Sequence, residues 1–414
     1  MFKKPKRMIG AVLAAILLLC SCSGSRIKST NYEDRMSEKD DFNYTALSWL
    51  YTNDCFTEPE EGLFYVVGSY LFFSNAETME GKPLCFKPEC LHNDETDPEK
   101  VPDCDAFLGA SYGGSYIGYF QNQIYVTALN KSTQKRELIR MEKDGSGRET
   151  IFSDLSMVDI PNIRMHRGVL YYFTSSIDAE GKADVGFHVY SLLDRRKKDQ
   201  VMYSWQLHDC SPFQLLPIGN RVYFEVEKGN DNDGYAYDLL MLNIATGEVT
   251  QVFSGDQYMI YGARDNKLIL RNQGVYYELS SDGTLAEENH GLNALTEAHP
   301  DWQVHLDCAD SELNFFSCFD REGGGFIEDM IVTDLSGREL CRLEGEAWGD
   351  LGAEIAVINN ERYYVKQSTS LAPFSVKAYR VEDLKKGNTD YAELLKADEY
   401  NRAFSPSYIL PNPE

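Results

Sequence analysis

Short runs of alternating apolar and polar residues fill most of this chain. They are cut at regular intervals by Asn, Asp, Gly and Ser, the pattern of half-buried strands joined by tight turns. One unit is especially clear: Asn220-Arg221-Val222-Tyr223-Phe224 opens a strand, and Asn230-Asp231-Asn232-Asp233-Gly234 turns it back. The opening, a turn residue followed by apolar and aromatic positions, returns at Ser69, Asn122, Gly168, Asn266, Ser311 and Asn360. With the Asn220 copy in its place, the successive spacings are 53, 46, 52, 46, 45 and 49 residues. Self-similarity at that period predicts an all-β fold, a β-propeller whose blades each supply four antiparallel strands. Seven copies favour seven blades, with six if Leu63–Cys85 only completes the ring.

A short apolar strand should precede each motif strand, as in Leu63–Val67, Phe213–Ile218 and Met259–Ala263. The third and fourth strands should be joined at 144–147, 193–198, 245–247, 281–283, 335–337 and 386–388, where Gly, Asp, Asn and Ser supply the chemistry of short returns. Tyr391–Lys396 reads as a short helix. Every second side chain of a strand faces the neighbouring blade, so the 26 Tyr and 21 Phe are accounted for as packing without any ligand.

Composition changes the picture at the ends. Residues 1–21 have a basic start (Lys3, Lys4, Lys6, Arg7) and an apolar run, Ile9–Leu19, too short to span a bilayer. The run ends Leu19-Cys20-Ser21-Cys22, similar to the bacterial lipoprotein signal. On that pattern Cys22 carries the lipid, and Cys20 fits worse because Leu19 would precede the cut. An ordinary secretory signal is the alternative; either way the mature protein is exported, and the lipid on Cys22 would hold it at the extracytoplasmic face of the cell membrane. Residues 22–45 are polar and read as a flexible tether, 46–400 as the propeller and 401–414 as a tail. The formal charge of −25 becomes −29 once the four basic leader residues are removed. Such an excess disfavours nucleic acid and anionic lipid surfaces, whose binding needs Lys and Arg, so no nucleic-acid partner is expected, and it suits solubility and cationic partners or divalent ions. A membrane contact through the lipid anchor, and an envelope glycan or protein partner, remain.

The hairpin Leu138-Ile139-Arg140-Met141-Glu142-Lys143-Asp144-Gly145-Ser146-Gly147 resembles the blade repeat of TolB-like and low-density-lipoprotein-receptor-like propellers. Residues 63–105, with Cys85-Phe86-Lys87-Pro88-Glu89-Cys90-Leu91-His92, resemble propeller lipoproteins of Firmicutes. The resemblance implies a fold and a location, and a family that binds rather than reacts.

Four residues stand out for chemistry. Cys85, Cys90, His92 and Cys104 offer three thiols and an imidazole, the donor set of a tetrahedral structural zinc site. Their spacing departs from zinc knuckles, and an oxidising exterior favours a disulfide among the three thiols, so both readings stand. Gly109-Ala110-Ser111-Tyr112-Gly113 has the letters of a hydrolase nucleophile elbow, but it leads into a strand rather than a helix. Asp231-Asn232-Asp233-Gly234 lacks the ligands that would complete a calcium loop. No catalytic residue is assigned. Loops between blades should converge at one end of the channel, bringing Tyr112, Tyr258, His299, Trp302 and Trp348 to a ligand-binding mouth. The chain thus reads as a membrane-anchored binding or scaffold module of the cell envelope. The alternative is a propeller enzyme, a lyase or glycan hydrolase, using acids at that mouth.

Overall fold

The computed structural model describes residues 26–36 and, apart from several loops, residues 56–395. The leader, Cys22, the tail, Tyr112, Trp348 and the Ala110–Gly113 part of the elbow lie outside the described residues. Among the described residues, seven four-stranded antiparallel sheets follow one another along the chain: 56–83, 117–153, 163–207, 215–256, 259–287, 302–343 and 353–395. Each sheet is ordered by sequence, so every strand pairs with its chain neighbour.

The turns explain why the repeat begins where it does. Gln121 and Asn122, Arg167 and Gly168, and Asp265 and Asn266 all have positive φ (51° and 65°, 51° and 74°, 48° and 66°). Paired positive values are the backbone of a two-residue hairpin whose twist matches its strands, and Asn and Gly tolerate it best. The aromatic rows then pack sheet on sheet. Phe64, Val66 and Leu71 meet Ile117, Ile124 and Val126. Tyr116 and Tyr125 meet Leu170 and Tyr172, and Tyr171 and Phe187 meet Val222 and Phe224. The contact passes on through Leu216 and Tyr223 against Ile260 and Leu268, Ile269 and Tyr276 against Leu306 and Phe316, and Phe315 and Met330 against Tyr379. Finally Leu63, Tyr65 and Phe72 pack on Val376, Ala378 and Leu394, so the last sheet closes on the first. This is a β-propeller. At the closing seam Tyr65 Oη lies 3.4 Å from the Leu394 carbonyl. Gly81 has no room for a side chain there: a Cβ would stand 2.0 Å from Tyr65 Oη.

The repeats are not all equivalent, and this corrects the favoured count of seven blades: six sheets follow the blade plan and one completes the ring. In six sheets the motif copy forms the second strand, for example Arg221–Asp231. In the first sheet the Ser69 copy forms the third strand, Tyr70–Asn75, behind a two-residue strand Phe56–Thr57. Six sheets therefore share one plan, and the first, ending in the three-residue strand Gly81–Pro83, completes the ring with another. Tyr391–Leu395 is a strand rather than a helix, because Leu394 and Leu395 are needed as buried positions of the seventh sheet, paired along Val376–Tyr379.

Part of the expected tether is also docked. Ile27 is 1% exposed and packs with Val169 and Leu242, while its N–H reaches the Ile244 carbonyl at 3.1 Å. Arg167 donates to the carbonyls of Glu33 (2.7 Å) and Arg35 (2.8 Å), Arg221 pairs with Asp34 at 2.8 Å, and the Met36 N–H bonds Asn266. Gly219, at φ 58°, lets the segment pass: a Cβ would lie 2.4 Å from the Asp34 carbonyl oxygen. A polar composition reads as solvated, but these backbone carbonyls are satisfied by two buried arginines that the strand pattern could not place.

One seam offers a simple test. Tyr276 is fully buried in the fifth sheet, and its hydroxyl accepts the Leu306 N–H of the sixth at 2.9 Å. Tyr276→Phe should lose about 1 to 3 kcal/mol in urea unfolding, the cost of stranding a buried donor. An unchanged midpoint would show that the hydroxyl carries none of the seam.

Candidate metal centre

The chain leaves the first sheet at Pro83 and returns to it before starting the second. Both arms of this loop are bolted to the strand Tyr70–Asn75. The Leu84 N–H bonds the Leu71 carbonyl at 2.8 Å, and the Leu71 N–H bonds the Ala106 carbonyl at 2.8 Å. Leu108 N–H reaches Ser69 at 2.8 Å, and Tyr70 bridges Phe107 as an antiparallel pair. Cys85 sits on the outgoing arm and Cys104 on the returning one, both buried in the core cluster of the closing seam. Cys90 and His92 close over them, half-buried.

The four donor atoms all lie within 4.8 Å of one another, and His92 Nδ1 is 3.8 Å from Cys104 Sγ. Four ligands around zinc, with Zn–S near 2.3 Å, have edges of about 3.8 Å. The cluster can therefore hold a metal. Each thiol also receives the amide of the residue two positions on. His92 N–H points at Cys90 Sγ (3.4 Å), Lys87 N–H at Cys85, and Ala106 N–H at Cys104. Amide dipoles converging on sulfur stabilise thiolate, the form that ligates metal. Burial works against the Cys85 thiolate, yet the amides of Lys87 and Asp105 and its neighbouring thiols outweigh it and hold the group below the ordinary thiol value. Cys104, more deeply buried, is pushed up. Lys87, paired with Asp105 at 2.7 Å, and Arg148, bonded to the Phe107 carbonyl at 3.3 Å, supply positive charge beside the site. That is what three thiolates around a divalent ion, one net negative charge, require. A left-handed turn at His92 (φ 53°), whose carbonyl is 3.4 Å from Tyr70 Oη, aims the imidazole inward.

The donor types of the four residues drew attention to them, and the fold brings all four together. Of the expected ligand mouth, Tyr112 and Trp348 lie outside the described residues, while Tyr258, His299 and Trp302 are placed. Tyr258 packs into the core between the fourth and fifth sheets, 5.4 Å from Phe253 and 5.3 Å from Tyr277. His299 and Trp302 do come together, stacked at 3.7 Å and 7° beside the helix Ala294–Ala298. Cys308 pairs in register with Phe315 and Cys318 with Val304, so they are not cross-strand partners.

Sequence reasoning missed a polar cluster on the third sheet. Asp199 holds His188 Nδ1 at 2.8 Å and the Tyr172 hydroxyl at 2.9 Å, while His188 Nε2 meets Thr174 Oγ1 at 2.8 Å. Burial alone would raise the Asp199 carboxyl, but these two partners lower it. The set brackets three neighbouring strands. Only the pairing of Tyr172 with His188 across two strands could have revealed it.

No protein-family model matches the sequence, and no curated protein matches it. Solved structures do resemble it. The orthorhombic crystal form of Pyrococcus horikoshii acylaminoacyl peptidase matches with a TM-score of 0.51 at 11% identity, covering 89% of this chain and 54% of that one. The β-propeller domain of the Trilobed protease from Pyrococcus furiosus matches with a TM-score of 0.48 at 10% identity, covering 84% and 98%. TolB from Acinetobacter baumannii matches with a TM-score of 0.38 at 10% identity, covering 80% and 76%. The chain spans about half the length of the acylaminoacyl peptidase. At these identities the likeness is one of fold, the β-propeller.

Proposed function

We propose that the protein is an extracytoplasmic propeller, held at the membrane by a lipid on Cys22, that serves as a binding or scaffold module of the cell envelope. In this reading Cys85, Cys90, His92 and Cys104 form a structural zinc clasp for the first sheet. The observation that carries the reading is the closure of that centre. The four donor atoms lie within 4.8 Å of one another and would supply all four ligands of a tetrahedral zinc, leaving no open position for a substrate, unlike catalytic zinc sites. The stacked pair His299 and Trp302 offers an aromatic surface at the start of the sixth sheet, suited to a glycan or peptide.

The test combines intact-mass analysis of the membrane-extracted protein with an array of envelope glycans and peptides. The expected results are an acylated Cys22 at the N-terminus, and binding without turnover that Trp302→Ala weakens about fivefold, the loss of one stacking contact. Cleavage of any arrayed glycan would replace this reading with the enzyme.

A further inference from the structure

The docked segment Arg26–Met36 starts four residues after Cys22, and every tie it makes falls on one end of the sheets. Arg167, Gly219 and Asn266 lie on turns between first and second strands; Asp194 and Ile244 lie on turns between third and fourth. In an antiparallel sheet those two kinds of turn share one end. The opposite end carries the hairpins between second and third strands and the connections between sheets, including His299 and the start of Trp302–Ala309.

Two independent features distinguish the segment's end. The first is reach. Four residues extend about 14 Å at most, so a lipid on Cys22 keeps Arg26 that close to the bilayer surface, while strands of 6 to 11 residues carry the opposite end about 20 Å or more further away. The second is charge. In a chain of net charge −25, Arg26, Lys28, Arg35 and Arg196 are exposed at this end. Of the acids at this end, Asp34 is paired with Arg221, Asp194 with Lys28 and Arg196 at 3.2 Å each, and Asp199 with His188 at 2.8 Å; Glu33 and Glu248 are exposed.

We propose that this end of the third and fourth sheets is a membrane-docking face, seated on the anionic headgroups of the bilayer that holds the anchor. The connections between sheets then point away from the membrane toward the envelope. The proposal rests on the lipid-anchor reading and adds an orientation to it. Screening confines headgroup attraction to within roughly 8 to 10 Å of the surface, so only the end tied down by the anchor feels it. The acidic remainder of the molecule is repelled, which favours the same orientation.

The test is lysine acylation, read by peptide mass spectrometry. It compares the lipidated full-length protein on phosphatidylcholine vesicles containing phosphatidylglycerol with the unanchored Cys22→Ser protein in solution. Lys28 should react about fivefold more slowly on vesicles, from about 1 kcal/mol per basic residue at an anionic surface. Lys135, on the second-to-third-strand hairpin of the second sheet, should react equally in both. Combining Arg26→Glu, Arg35→Glu and Arg196→Glu should abolish the protection of Lys28 while the protein still floats with the vesicles. Equal protection of the two lysines, or protection of Lys135 alone, in a protein that floats overturns the orientation and leaves the anchor standing. Wild-type protein that fails to float refutes the anchor and the orientation with it.

Discussion

Protein prepared without reductant or chelator is expected to carry one zinc per chain, and Cys104→Ser is expected to lose it. Cys104 is the donor whose loss should matter most. It lies on the returning arm, where the Leu71 N–H to Ala106 carbonyl bond and the Tyr70–Phe107 bridge hold the loop to the first sheet. A ligand bound about a thousandfold above its dissociation constant stabilises the folded chain by about 4 kcal/mol, so removal should lower the melting temperature by roughly 5 °C or more. The effect should appear first in hydrogen exchange at Leu71, Leu84 and Leu108, whose amides tie the loop to the strand. Native mass spectrometry decides between the two readings of the cysteines. A metal-free chain with a disulfide among Cys85, Cys90 and Cys104 would remove the centre. The amide geometry argues for metal, because a disulfide takes two sulfurs out of the set and leaves the amides aimed at them without a thiolate to stabilise.

The architecture was legible because it depends on short-range regularities. Turn residues at Asn122, Gly168 and Asn266 demand positive φ, and the apolar run after each one has to face a neighbouring sheet. The out-of-phase first sheet was not legible, since Ser69–Phe73 carries the same turn-then-apolar pattern as the other copies and only the extra pair Phe56–Thr57 shifts its place. The Cys/His centre was half legible: the residue types and their closeness in sequence marked it, but its completion depends on the loop folding back on Tyr70–Asn75, a long-range event. The docked segment at Arg26–Met36 was hidden because its partners are two arginines, one on a turn and one at the start of a strand, 130 to 190 residues away. Tyr258 shows the converse. An aromatic next to a predicted loop was read as a ligand contact, and in the fold it is half-buried beside Phe253 and Tyr277.

Glu225→Gln is expected to remove a pH dependence from the protein's stability. Glu225 lies on the second strand of the fourth sheet, 1% exposed, and turns inward toward the fifth sheet. Burial pushes its carboxyl up to about 8, although the amides of Ile260 and Gln214 both donate to it and hold it lower than burial alone would. The folded value is raised above the ordinary 4.5, so the folded chain binds more protons than the unfolded chain between those two values. Its contribution to stability is therefore complete below pH 4.5 and is lost as the pH climbs through about 8. Asp307, on the sixth sheet, is raised by burial to about 7 against its hydrogen bonds with Ser317, and adds a loss of the same sign. At roughly 1.4 kcal/mol per pH unit, the wild-type chain should lose on the order of 3 kcal/mol relative to Glu225→Gln between pH 5 and pH 9. Chemical denaturation of both proteins across that range measures it. Parallel curves would mean that Glu225 stays ionised inside the seam, held by its two amide donors. An amide in its place would then cost the same at every pH.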